Sequence, residues 1–221
     1  MKPTTLQAGD DAMERELREM LRLQASVNSK IDANWLNAGN AYLRAVLVES
    51  VEAMDHHGWK WWSRQPLNMN QIQLELIDIW HFVLSDILVK QSGDLDGAVA
   101  FIASQWHSDA DPQNDVTNLL ERLERMAGLA AGRRFSFPLY RALLLDAGLT
   151  FESLFRAYVG KNVLNHFRQD HGYKQGTYIK IWDGREDNEV LTDLMAETTA
   201  APEELAKDLY ARFEERYSRL S

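Results

Sequence analysis

The feature that most narrows what this 221-residue chain can become is a pair of acidic doublets set inside apolar segments. Glu49-x-x-Glu52 lies within Ala45 to Met54, and Glu75-x-x-Asp78 within Ile72 to Leu88. Residues three apart share one face of an α-helix. Each segment therefore turns two carboxylates to the same side, and an antiparallel pairing of the helices brings the four together. The apolar neighbours place those faces in the interior, where an uncompensated carboxylate is costly. Clustered carboxylates also repel one another and raise each other's pKa unless a cation lies among them. The pattern predicts a helical bundle with a divalent-cation site in its core.

Three uses of the quartet stay open on these residues alone. Mg2+ is a hard ion that prefers oxygen and is commonly shared with substrate phosphates. A di-iron centre in a four-helix carboxylate protein uses paired Glu-x-x-His motifs, and the nearest match here is the single Asp78-x-x-His81. Salt-bridged acids in a helical interaction protein are the third use. That suits isolated doublets better than doublets in apolar segments with few basic neighbours.

Charge distribution adds a second ingredient. The net charge of −9 argues against broad nucleic-acid binding. Yet Arg156 to Arg185 holds six Lys/Arg against two Asp, whereas the chain as a whole has 24 basic and 33 acidic residues. An acidic body with one basic segment can hold a cation and an anionic ligand together. Lys161, Asn165 and Arg168 form one helical stripe, and Arg168, Lys174 and Lys180 could converge on a polyphosphate. A merely solvated basic face explains them equally well. Gln24 and Asn28, one turn apart, carry donors and acceptors able to read the edge of a base or sugar, and a solvated helix face would also account for them. Three tryptophans in Trp59-Lys60-Trp61-Trp62 suit either stacking against a flat ligand or core filling.

Periodicity and caps predict an all-α chain forming a single domain over 1–221. Residues 1–10 are expected to be loose. Helices are expected from Asp11, as N-cap, to Val27, from about Asn34 to Asp55, and from Asn70 to Gln91. Others follow from Leu95 to Trp106, from Asp111-Pro112 to about Met126, and from Pro138 to Ala147. A long helix capped by Thr150 ends at His171-Gly172, and a last one starts at Pro202. Residues 92–148 read as packing, an inserted helical subdomain or a dimer surface. The stretch near 172–188 is loop-rich and basic, with Glu186-Asp187-Asn188 in a loop. There is no cysteine, no apolar leader at Met1-Lys2-Pro3-Thr4-Thr5, and no apolar run long enough for a membrane span. A cytoplasmic protein with no membrane partner is the expectation.

A longer signature narrows the choice. It runs Gly160-Lys161-Asn162-Val163-Leu164-Asn165-His166-Phe167-Arg168-Gln169-Asp170-His171-Gly172-Tyr173-Lys174, then Gly176, Tyr178, Lys180, Trp182 and Glu186-Asp187-Asn188. With Leu23-Gln24, Asn28, the tryptophan run, His81-Phe82 and the acid doublets, it resembles the dimeric all-α dUTPases of the all-α nucleoside-triphosphate pyrophosphatase superfamily. The resemblance spans about Leu17 to Leu191 and is least telling over 92–148. It implies a homodimer that hydrolyses dUTP to dUMP and pyrophosphate, with dUDP as a second substrate, limiting uracil incorporation into DNA. Glu49, Glu52, Glu75 and Asp78 would then hold two or more Mg2+ ions, with Mn2+ as a substitute and Glu49 activating water. Lys161, Asn165, Arg168, Lys174 and Lys180 would hold phosphates and sugar, and Tyr173 would lie against the deoxyribose. Gln24 and Asn28 would read the pyrimidine edge, His81 would join them, and Trp62 and Phe82 would flank the ring. The basic segment would close over the substrate. A dCTP- or modified-pyrimidine-directed pyrophosphatase and a non-catalytic nucleotide-binding assembly protein are the alternatives.

Overall fold

Short polar side chains start most of the helices, and they do so where the apolar periodicity begins. The computed structural model describes residues 5–108 and 118–220. Among them the helices are α1 (Thr5–Ile31), α2 (Tyr42–His57), α3 (Met69–Lys90), α4 (Leu95–Trp106), α5 (Leu119–Ala131), α6 (Phe137–Asp146), α7 (Phe151–Asp170), α8 (Asp187–Glu197) and α9 (Pro202–Tyr217). The only sheet among the described residues is an antiparallel hairpin of β1 (Ile181–Trp182) and β2 (Arg185–Glu186). The fold is all-α. Asn68, Asp94, Asn118, Ser136 and Thr150 each accept a backbone N–H in the first turn of the helix they start. Thr150 and Ser153 form a reciprocal capping box.

Three expected boundaries shift. Helix α1 starts at Thr5, so Asp11 lies inside it and residues 5–10 are helical rather than loose. Helix α2 starts at Tyr42, not near Asn34. The intervening stretch is rich in Asp, Asn and Gly, and such side chains satisfy the backbone locally, as Asp32 does by accepting from Asn34 N at 2.8 Å. Asp187 opens α8 instead of lying in a loop. The expected helix start at Asp111-Pro112 lies outside the described residues, and α5 begins instead behind Asn118 and continues through Gly128.

The acid doublets are carried by neighbouring helices. Asn68 N donates to His56 O at 2.8 Å, so the start of α3 abuts the end of α2 and the two pack along each other. Helix α1 covers α3 and α7, and α5 backs α2. Trp80 is fully buried in α3, stacked on Tyr140 at 5.2 Å and edge-on to Trp106 at 5.7 Å. Burying one such side chain stabilises the fold by about 2–3 kcal/mol. Through Trp106, Met126, Phe137 and Tyr140, segment 92–148 shares this one core. A second aromatic group ties the basic segment to the body. Phe167 of α7 meets Phe213 at 5.5 Å, Trp182 at 5.8 Å and Tyr217 at 5.3 Å. No helix among the described residues is long and apolar enough to cross a membrane.

Candidate active site

Glu49, Glu52 and Glu75 each turn a carboxylate oxygen to within 4.8 Å of the others. Asp78, the fourth member expected there, is not in that group, and its Oδ2 accepts from Lys161 Nζ at 3.0 Å. Burial pushes the Glu49 carboxyl up to about 8, aided by the charges of Asp78, Glu52 and Glu75. Burial also raises Glu75, to about 7, with Asp78 and Glu52 adding repulsion. Asp78 is raised as well, because desolvation outweighs the pull of Lys161 and Arg168. A side-chain hydrogen bond between Glu49 and Glu75 adds to the rise at Glu49 and offsets it at Glu75. His56 Nε2 lies 3.3 Å from Glu75 Oε1. The donor set is thus mainly hard oxygen, with Glu49 and Glu75 raised by burial, and it fits Mg2+ or Mn2+. A di-iron centre fits poorly, because His81 is bonded to Gln24 rather than grouped with the acids.

A cavity of about 540 Å3 leads from Glu49, Asp78 and Lys161 to Gln24, Asn28, His81, Phe82 and Ser85. At its far end the polar groups form a directed chain. Tyr158 OH donates to Gln24 Oε1 at 2.7 Å, and His81 Nδ1 lies 2.8 Å from the same oxygen. An amide oxygen only accepts, so Nδ1 carries the proton. Burial, with Lys161 adding to it, holds His81 neutral by lowering its pKa to about 3. Its Nε2 is left as a buried lone pair without a partner. Gln24 Nε2 donates to Asn28 Oδ1 at 3.0 Å, and Asn28 Nδ2 donates to Ser85 Oγ at 3.0 Å. The two amides therefore satisfy each other and the protein, and neither is a solvated surface group.

Helix α7 supplies the cavity's other wall. Arg168 Nε and Nη2 donate to the two oxygens of Asp187, both at 2.8 Å, and Nη1 donates to Asn165 Oδ1 at 3.2 Å. Tyr178 OH donates to Asp187 Oδ2 at 2.8 Å. The Tyr173 ring centre lies 5.8 Å from the guanidinium carbon. Gly172 makes that approach possible. Its φ is +85°, and a Cβ there would fall 2.0 Å from Thr177 Oγ1, so only glycine fits the turn that folds Tyr173 back to the cavity.

Gln24, Asn28, Glu49, Asp78, His81, Phe82, Lys161, Asn165, Arg168 and Tyr173 therefore surround one cavity, and Glu52 and Glu75 complete the acid group beside it. Three expected residues stand off. Trp62 is 59% exposed and packs edge-on against Trp59 and Trp61 rather than lining the cavity. Lys174 Nζ donates to Ile31 O at 3.2 Å, at the end of α1. Lys180 pairs with Glu186 at 3.2 Å on the surface. Asp187 is the residue whose part sequence reasoning missed. Its one signal was its place in the Glu186-Asp187-Asn188 run.

A family model described as dUTPase matches residues 16–173, a span that carries the acid group, the amide chain and the α7 wall. No curated protein matches the chain. The chain belongs to the dUTPase family.

Proposed function

We propose that this member of the dUTPase family hydrolyses dUTP to dUMP and inorganic pyrophosphate, and dUDP to dUMP and phosphate. The observation that carries the proposal is the joining, in one cavity, of an acid group, a basic wall and a neutral hydrogen-bonding end. Each matches one part of a deoxynucleoside triphosphate: cation-bound polyphosphate, phosphate oxygens and base.

Glu49, Glu52 and Glu75 would hold Mg2+, with Mn2+ as a substitute, and Asp78 would join them on release from Lys161. When bound, the ions supply charge neutralisation and Lewis acidity. Glu49, which keeps its proton affinity near neutrality, is the chain's own candidate to accept a proton from water. Lys161 and Arg168 hold phosphate oxygens, and Asp187 keeps the Arg168 plane fixed. Asn165 and Tyr173 face the sugar, with Tyr173 against a 2′-hydroxyl. At the base end His81 Nε2 is an acceptor awaiting a donor. Uracil offers a ring N–H, whereas the same position in cytosine is an acceptor, so this end favours uracil. Homodimerisation and a cytoplasmic location belong to the same proposal. Exposed Val48, Val51, Trp61 and Leu67 give α2 and the loop after it an apolar surface for a second copy.

The test is pyrophosphate release from dUTP, dCTP, dTTP and UTP, with Mg2+ or with EDTA. Release from dUTP that EDTA abolishes is expected. Release indifferent to EDTA, or none from any deoxypyrimidine, would refute the reading. A dCTP rate equal to that for dUTP would remove the role given to His81. Light scattering at micromolar concentration should return twice the chain mass.

A further inference from the structure

Helix α9 lies wholly beyond residues 16–173, the span that matches the dUTPase family, yet its last residue reaches back to the basic segment. Between the glycine turn at 172–176 and the hairpin of β1 and β2, residues 177–180 form neither helix nor strand. A stretch without a hydrogen-bond ladder is placed by what its side chains and amides meet elsewhere. Tyr217, at the end of α9, meets two consecutive residues of it. Ile179 N donates to the Tyr217 hydroxyl oxygen at 3.0 Å. The Tyr178 and Tyr217 rings are stacked, 5° from parallel with centres 5.5 Å apart. Tyr217 is itself seated against Phe167, and the fully buried Phe213 fixes α9 one turn earlier.

What this contact places is a hydrogen-bond donor. Tyr178 OH donates to Asp187 Oδ2, the oxygen that also accepts from Arg168 Nε, while Oδ1 accepts from Nη2. Burial, with the charge of Asp187 adding to it, raises the Tyr178 pKa, so the hydroxyl keeps its proton. Three donors thus pin a fully buried carboxylate, and the carboxylate pins the guanidinium that lines the cavity. Two other bonds hold the backbone nearby, from Asp187 N to Lys180 O at 3.0 Å and from Trp182 Nε1 to Ile179 O at 2.8 Å. Neither touches the Tyr178 ring, whose one parallel stack is with Tyr217.

We propose that Tyr217 is a positioning residue for the phosphate-binding wall, acting through Tyr178 and Asp187 on Arg168. Tyr217 does not line the cavity. The proposal rests on the dUTP reading only for what Arg168 holds.

The test is solvent exchange of the Arg168 Nε–H proton, followed by 15N NMR on the full chain without ligand and assigned by its loss in Arg168→Lys. Held by a buried carboxylate, that proton should exchange slowly in the wild type. Tyr217→Met fills the space without ring or hydroxyl, and exchange should speed up by about tenfold. Tyr217→Phe keeps the stack and loses only the bond from Ile179, so about threefold is expected. In turnover of dUTP with Mg2+, Tyr217→Met should lower kcat/KM by about tenfold, and by nothing further in an Arg168→Ala background. A residue that merely stabilised α9 would lower the melting temperature without changing Arg168 exchange in the folded chain. Exchange at the wild-type rate in either variant overturns the proposal, whether or not dUTP is hydrolysed. Faster exchange in a chain that leaves dUTP intact would refute the reaction and retain the brace, so the two failures are separable.

Discussion

Arg168 and Asp187 meet edge to edge through two hydrogen bonds of 2.8 Å, and the carboxylate is fully buried. Removing Asp187 leaves a guanidinium that is only 12% exposed without its counter-charge. Breaking a buried pair in this way costs about 3–5 kcal/mol, and Asp187→Ala should lower the melting temperature by roughly 10 °C. Turnover should fall too, because the fork loses its orientation. If Asp187 acts on the substrate only through Arg168, its substitution should cost kcat/KM nothing further in an Arg168→Ala background. Full additivity of the kinetic losses would disprove the positioning role.

Metal-free protein should grow less stable as pH rises. Glu49 and Glu75 have ordinary values of 4.5 and are raised by burial to about 8 and about 7 in the folded chain. Between these limits the folded state binds more protons than the unfolded one, so stability present below pH 4.5 is lost as pH climbs toward 8. Melting curves in EDTA from pH 5 to pH 8 should show the decline. Mg2+ should flatten it. A metal-free melting temperature that rises across this range would contradict the burial of the acids.

Glu49→Gln should separate stability from activity. It removes one charge from a repelling group, so the metal-free protein at pH 8 should gain on the order of 1 kcal/mol, about 2–4 °C. Turnover should be abolished, with the helical circular dichroism unchanged. Normal turnover would remove Glu49 from the site.

Tyr158→Phe tests the base end. The Tyr158 hydroxyl is one of three groups, with His81 and Asn28, that fix the orientation of the Gln24 amide. Without it the amide can turn, and the preference for dUTP over dCTP should fall by roughly tenfold. The ratio of kcat/KM values measures this, and an unchanged ratio would show that Gln24 is oriented without Tyr158.

The helices that carry chemistry were the most legible ones, for local reasons. Apolar periodicity located α3, and with the Thr150 cap α7, to within a residue. The start of α2 was misread because the Asn and Gly residues of 34–40 make their own turn hydrogen bonds, which apolar periodicity does not register. Asp187 was illegible as a buried residue. Its burial depends on Arg168, nineteen positions earlier, and nothing in a charged run shows which member will find such a partner. Lys174 and Arg168 looked alike as cations near a glycine turn. Only the fold shows that one faces the cavity and the other the end of α1.

That last contact has a consequence for ligand affinity. Lys174 Nζ holds the Ile31 carbonyl, one turn beyond Asn28, and a single ammonium serves the helix end or a phosphate with the same protons. A ligand that recruits Lys174 must strip the end of α1 of its counter-charge. Its measured grip is then an exchange rather than a gain, and the final turn of α1 should fray as the basic segment engages. Saturation with nucleotide would be visible as faster amide exchange at Ile31 and its neighbours, a loosening that accompanies binding.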